Sequence, residues 1–258
     1  MIVNLVDTNI VFDIVYTERD RNTLAMKFYR EFKNLELMIS DTVKVECMKV
    51  IMKYSMEFAK DFNNFLAIKN SRGKSWDKMN ADSRTNFLSD FVKNTKTKNN
   101  YKVFHPFYEN VMRKIKKVII FIDSQKINKY LLELPSAIQD YFLESIKIMF
   151  SFVVPNTDSS EFLKNSKKFE FLLKDYFDEK ETSDFKILIN LIMLVKVGDS
   201  QNNKIDSVLF YSCDKGFIKN FNTISQDKTI IFKNNQDSDI SKIKFLTIKE
   251  KLHDIADR

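Results

Sequence analysis

Glycine and proline are scarce in this chain, with only three of each among 258 residues. Average usage of about 7% and 5% would give about 18 and 13. The glycine-rich loops that hold phosphates in dinucleotide-binding folds, kinases and P-loop NTPases need several closely spaced glycines. Three scattered glycines exclude these loops, and a sandwich of strands joined by Gly- and Pro-rich turns is disfavoured as well. Any phosphate chemistry must therefore use side chains or metal ions.

Cysteine and histidine are equally rare, with two residues of each. Two cysteines build no disulfide framework and no zinc spacing, which favours a reducing compartment. Neither histidine has a companion that would make it a credible catalytic base. The apolar stretches are far shorter than the roughly 20 residues of a membrane span, and the N-terminus lacks the basic region of a signal peptide. We expect a soluble, cytoplasmic protein with no membrane partner.

The net charge of +7 is concentrated in the middle of the chain. Residues 69–117 hold 13 Lys and Arg but only 4 Asp and Glu, with aromatic residues interleaved. Cations that neutralise phosphates, mixed with rings that stack on bases, are typical of a nucleic-acid surface. The alternative is a lysine-rich solvated face over an aromatic core. The candidate nucleic-acid contacts are Lys93, Lys96, Lys98, Arg113, Lys114 and Lys117.

Hydrophobic periodicity predicts strands that alternate with helices, which indicates an α/β fold with a parallel sheet. The predicted strands are 2–6, 35–39, 207–213, 229–232 and 244–247. The predicted helices are 22–32, 41–58, 81–93, 107–122, 125–134, 136–151, 159–177, 183–197 and one from about 249. All three prolines lie in the middle. We therefore predict a single domain formed by about 1–59 and 166–258, with a basic helical insertion at about 60–165.

Four carboxylates occupy positions from which they would meet. Asp7 and Asp214 each follow a predicted strand, and the carboxyl ends of parallel strands share one edge of the sheet. Asp184 continues the apolar face of a buried helix, and Glu46 flanks the apolar face of the 41–58 helix. Each acid alone fits a turn or helix cap, as does Asp13 in the loop expected after the first strand. Together the four would repel one another, and a hard cation such as Mg²⁺ or Mn²⁺ would relieve that repulsion.

The segments that carry these acids resemble the motifs of PIN-domain nucleases. Val6–Asp13 resembles the opening strand and D-T-N-type turn of that family. Ser212–Phe217 resembles its T/S-x-D-x-x-F segment, with Ser where Thr is commoner. Thr182–Asp184 and Val43–Glu46 match the places of its two helical acids. The resemblance covers about 1–59 and 178–258 and leaves out the middle.

The resemblance implies a Rossmann-like parallel sheet flanked by helices and a metal-dependent ribonuclease centre that leaves 5′-phosphate and 3′-hydroxyl ends. It implies that one or two Mg²⁺ or Mn²⁺ ions are held by Asp7, Glu46, Asp184 and Asp214. It also implies that Asn9 and Ser212 orient the ligands or the attacking water. The insertion would then be an arm that holds the RNA substrate.

The leading functional hypothesis is a metal-dependent endoribonuclease, either a toxin-type or an RNA-processing enzyme. An inhibitory protein and a second copy of the chain are the candidate protein partners. The alternative is a non-catalytic PIN-like module that binds RNA or protein, although such a module has no need to retain four mutually repelling acids. A haloacid-dehalogenase-like phosphatase is disfavoured because Asn9 stands where that family needs a second aspartate after Asp7.

Overall fold

The computed structural model describes residues 1–15, 22–32, 34, 36–71, 73, 75–95, 101–158, 160–177, 182–226 and 241–248. Within these ranges the strands are β1 Ile2–Val6, β2 Leu37–Ser40, β3 Ser151–Val153, β4 Ser207–Ser212 and β5 Ile243–Thr247. The helices are α1 Thr8–Val15, α2 Asn22–Phe32, α3 Asp41–Ser71, α4 Ala81–Thr95, α5 Tyr101–Ile119, α6 Ser124–Met149, α7 Ser160–Leu173, α8 Thr182–Val197 and α9 Lys215–Gln226.

The five strands form one parallel sheet in the order β3-β2-β1-β4-β5. The central strand β1 pairs with β4 over its whole length, from Ile2↔Ser207 to Val6↔Tyr211. All residues of β1 after Ile2 are buried, as the apolar run predicts. A mixed α/β fold with a parallel sheet flanked by helices is therefore confirmed. The strand predicted at 229–232 and the helix predicted from 249 lie outside the described residues.

The chain divides into two compact units. The first, here called the sheet unit, comprises Met1–Ile14, Thr23–Cys47 and Ile146–Arg258. The second, the helical unit, comprises Val15–Asn22 and Met48–Ser145. The segment that interrupts the sheet unit therefore runs over 48–145 rather than about 60–165, because β3 pairs with β2 and returns the chain to the sheet.

The core of the sheet unit is built on helix α8. Its residues from Ile187 to Val195 are buried with the exception of Asn190, which is half-buried. A helix that is apolar nearly all round is typical of burial on several sides, and α8 contacts both β4 and β5. Helix α9 adds Phe217 and Phe221, whose rings pack against Phe245 of β5.

The core of the helical unit is aromatic. Phe58 and Phe62 each pack edge to face against Phe91, with ring centroids 5.5 and 5.0 Å apart. Five rings that the sequence places among the basic residues are buried, namely Trp76, Phe87, Phe91, Phe107 and Tyr108. Of the two interpretations that the sequence leaves open, their burial favours the aromatic core for these five rings. Their rings supply the aromatic core over which the charged face lies.

Two helices of the helical unit are longer than the sequence predicts. Helix α3 continues past residue 58 to Ser71, and α6 runs through Pro135 instead of breaking there. Proline removes one backbone donor and crowds the preceding turn, but the buried residues Leu131, Leu134 and Ile138 keep this stretch packed. In the ranges described, no helix is long and apolar enough to cross a membrane.

Candidate functional site

The strand order creates a switch point between β1 and β4. From β1 the chain adds β2 and then β3 on one side, and it later places β4 and β5 on the other side. Ligands of open α/β sheets bind outside the carboxyl ends of the strands where the order reverses in this way. Asp7 directly follows β1, and Asp214 lies two residues beyond the end of β4. Both predicted acids therefore lie at the switch point.

Asp7 is almost fully buried, with 5% of its surface exposed. Its Oδ1 accepts a hydrogen bond from the Thr8 amide at 2.7 Å. Its Oδ2 accepts hydrogen bonds from Asn9 Nδ2 at 2.7 Å and from Ser212 Oγ at 2.6 Å. Asn9 and Ser212 therefore both fix the Asp7 carboxylate, and their role in orienting metal ligands or water stays a prediction.

The environment of Asp7 disfavours its charge. Burial, together with the charge of the nearby Glu46 carboxylate, raises the pKa of Asp7 to about 6. The hydrogen bonds from Ser212, Thr8 and Asn9 act in the opposite direction. Burial outweighs the donors because a desolvated carboxylate loses its hydration while the donors replace only part of it.

Thr8 brings Glu46 to the same place. The Thr8 hydroxyl donates to Glu46 Oε2 at 2.6 Å, while its amide donates to Asp7. Glu46 lies in the second turn of α3, which begins directly after β2 and is capped by Ser40 Oγ, the acceptor for the Val43 amide at 3.3 Å. Thr8 is part of the motif after the first strand, but the sequence predicts no role for it. The feature of the sequence that could have indicated this role is a hydroxyl residue directly after Asp7.

Ser212 connects Asp7 with the segment that carries Asp214. Its hydroxyl donates to Asp7 Oδ2 and accepts the Asp214 amide at 2.9 Å. The Asp214 carboxylate is exposed and caps α9, because its Oδ1 accepts the amides of Gly216 at 2.7 Å and Phe217 at 3.1 Å. Capping explains the aspartate on its own. The other carboxylate oxygen, Oδ2, accepts neither of these two amides.

Asp184 lies half-buried in the first turn of α8, as predicted. The sequence predicts that it joins the other three acids around a metal ion. Among the residues that the structure describes, no three or more His, Cys, Asp and Glu side chains are grouped closely enough to hold one. The structure thus brings Asp7 together with Glu46 and links Asp7 to Asp214 through Ser212, but it does not assemble the four acids into one cluster.

The sequence also predicts the environments of Cys47, which follows Glu46, and of Asp13, which follows Asp7 by six residues. Cys47 is buried, as expected, and burial together with the charges of Glu46 and Asp7 raises the pKa of its thiol. Asp13 was expected to cap a loop after the first strand, which was wrong. It lies within α1 and is fully buried, because α1 begins directly after Asp7.

The six candidate nucleic-acid contacts fall into three groups. Lys93 of α4 and Arg113 of α5 are exposed and line one groove of the helical unit. Lys114 and Lys117 are exposed on α5, and Lys114 Nζ lies 3.1 Å from the ring centroid of Tyr141. Lys96 and Lys98 lie outside the described residues.

No known protein family, curated protein or solved structure gives a significant match to this chain.

Proposed function

We propose that this chain is a metal-dependent endoribonuclease of PIN-like architecture. The observation that supports this most directly is the arrangement at the switch point. Two carboxylates, Asp7 and Glu46, are held together there by one residue, Thr8, although they repel each other. Retaining a buried carboxylate beside a half-buried one of like charge costs stability, and that cost is expected where function requires the pair.

The donor chemistry of this pair fits a hard cation. Carboxylate oxygens are the ligands that Mg²⁺ and Mn²⁺ prefer, and a cation beside Asp7 would offset both its desolvation and the Glu46 charge. We propose that the ion is held by Asp7 and Glu46, with Asp214 and Asp184 as the further ligands. When bound, it supplies a water of lowered pKa and stabilises charge on phosphoryl oxygens.

The chain's own residues have separate parts in this proposal. Asn9 and Ser212 hold the Asp7 carboxylate, and Thr8 sets the position of Glu46. The cap at α9 uses Asp214 Oδ1, which accepts both cap amides, and we propose Oδ2 as the ligand oxygen. Ser212 couples the two strand ends, so its loss should disturb Asp7 and Asp214 together.

The test is cleavage of labelled single-stranded RNA and DNA in Mn²⁺ or in EDTA. D7N, E46Q and D214N each remove one charge and keep a side chain of similar shape. The D214N variant retains an N-cap, because asparagine caps helices as well as aspartate does. D175N is the matched control, since Asp175 is exposed and lies in a short turn after α7.

We expect Mn²⁺-dependent RNA cleavage that D175N retains and that D7N and E46Q lose by at least 100-fold, the scale on which a misplaced catalytic centre costs activity. Cleavage that persists in EDTA, or that survives both D7N and E46Q, would refute the proposal.

A second candidate is a non-catalytic PIN-like module that binds RNA or a protein. It is favoured by the absence, within the described ranges, of a group of three or more ligating side chains. It predicts binding without cleavage under all metal conditions and no change in binding for D7N.

A further inference from the structure

Helices α4 and α5 of the helical unit flank a groove that the site at the sheet does not use. Its volume is about 450 Å³, within the range of ligand pockets. Helix α4 contributes Leu88 and Val92, which lie one turn apart, and Lys93 beside them on the same face. Helix α5 contributes Met112, Arg113 and Lys116, also on one face. The groove is therefore formed by two matched helix faces rather than by a loop.

The groove has an apolar floor and a positive rim. Leu88 and Met112 are buried and Val92 is half-buried, so aliphatic groups form the floor. Lys93 and Arg113 are exposed on the rim, and Lys116 is half-buried beside them. The acidic lining residue Glu109 lies one helical turn before Arg113, so the lining keeps an excess of two positive charges.

This combination fits one class of ligand. Phosphodiester groups match the cations, and a base that is unpaired can lay an apolar face against the floor. A duplex keeps its bases stacked inside and would leave the floor uncovered. Among the residues that the structure describes, no aromatic residue lines this groove, so the aliphatic floor is the surface that a base can contact within it.

We infer that the groove between α4 and α5 holds a segment of single-stranded RNA, with its phosphates along Lys93, Arg113 and Lys116 and a base against Val92. This inference rests on the proposed function for its choice of RNA, and it places substrate binding on the helical unit.

The experiment is fluorescence anisotropy of a labelled, unstructured RNA of about 12 nucleotides, in EDTA, with NaCl varied from about 50 to 200 mM. The groove variant is K93Q/R113Q/K116Q. The control is K53Q/K60Q/K129Q, which removes the same charge from exposed positions of the helical unit that do not line the groove. Near-UV circular dichroism and thermal unfolding check that both variants are folded.

Single strands give a slope of about 0.7 in log K against log salt for each phosphate neutralised, so three cations account for a slope of about 2. We expect the groove variant to lose most of that slope and to bind at least tenfold more weakly at the lowest salt. The control should keep the wild-type slope. V92S should weaken binding without changing the slope, and a duplex of the same sequence should bind more weakly than the single strand.

An unchanged slope in the groove variant, or an equal fall in the control, would overturn the inference. Equal binding by V92S and wild type together with equal duplex binding would do so too. The assay needs no cleavage, so the two proposals fail separately. RNA that binds through the groove but is never cut in Mn²⁺ refutes the nuclease, and RNA that is cut normally by the groove variant refutes the groove.

Discussion

The buried Asp7 carboxylate should make the stability of this protein fall as the pH rises. Its pKa is about 6 in the fold against 3.8 for an exposed aspartate, so the folded state binds the proton more tightly than the unfolded state. A raised carboxyl pKa therefore lowers stability as the pH rises from about 4 to 6, and the full loss is present above that range. The D7N variant carries no charge there and is free of this effect.

The magnitude follows from the difference between the two pKa values. Each tenfold change in proton affinity corresponds to about 1.4 kcal/mol, so Asp7 destabilises the fold by about 3 kcal/mol at neutral pH, without a metal ion. About 2 kcal/mol of this develops between pH 4 and 6. The amide of D7N pairs less well with Ser212 and Asn9, but that cost does not change with pH.

The assay is urea unfolding of wild type and D7N in EDTA at several pH values between about 4 and 7. The quantity of interest is the stability of D7N minus that of wild type, which should rise by about 2 kcal/mol from pH 4 to 6. Asp199→Asn provides a control of opposite sign. Burial raises the pKa of Asp199, but hydrogen bonds from Asn203 and Gln201 outweigh it and leave the pKa lowered.

A difference between D7N and wild type that stays flat or falls over this range would refute the argument that burial controls Asp7. A second readout follows from the proposed function. Mn²⁺ at neutral pH should raise the melting temperature of wild type, because a ligand that binds only the native state stabilises it, and should leave D7N unchanged.

Three further substitutions test the packing of each unit. Tyr108→Phe removes the 2.6 Å hydrogen bond from the hydroxyl to Asp61 Oδ2 and should cost about 1–2 kcal/mol in urea unfolding; unchanged stability would contradict this. Gly198→Ala should lower the melting temperature clearly, because φ is +80° and the new Cβ would lie 2.6 Å from Asn203 O. Gly73→Ala has a φ of +78° but no atom within 4 Å, so it should cost less, and the reverse order would be inconsistent with the structure.

Four of the five strands could be predicted from their own residues, without knowledge of their partners in the sheet. β1, β2, β4 and β5 were predicted because each is an apolar run that ends at a polar residue or turn. β3 was missed, since its three residues continue the apolar stretch that follows α6. Three residues are too few to reveal an alternating pattern, and only pairing with β2 identifies them as a strand.

Helix α6 shows that tertiary packing can keep a helix intact where proline predicts that it ends. Pro135 predicts a boundary, yet the helix continues to Met149 because Leu131, Leu134, Ile138 and Phe142 are buried in register. Tertiary packing can outweigh the loss of one backbone hydrogen bond. Such packing depends on partners far along the chain, which a single sequence does not identify.

The site was predictable to the extent that it depends on strand ends. Asp7, Ser212 and Asp214 could be placed at one edge because parallel strands share their direction. The Thr8–Glu46 hydrogen bond could not, since it depends on how α3 is rotated about its axis. The same limit applies to Asp184, whose distance from the other acids depends on the placement of α8.

The pairing of β1 with β4 also has a consequence for biosynthesis. Ser212 and Asp7, which join the ends of these strands, lie 205 residues apart. At about 5–20 residues per second, β1 leaves the ribosome roughly 10–40 s before its main neighbour exists. During that interval one edge of an apolar strand, Ile2–Val6, lacks its native partner. A nascent chain of this protein is thus expected to need protection by a chaperone until β4 has been made.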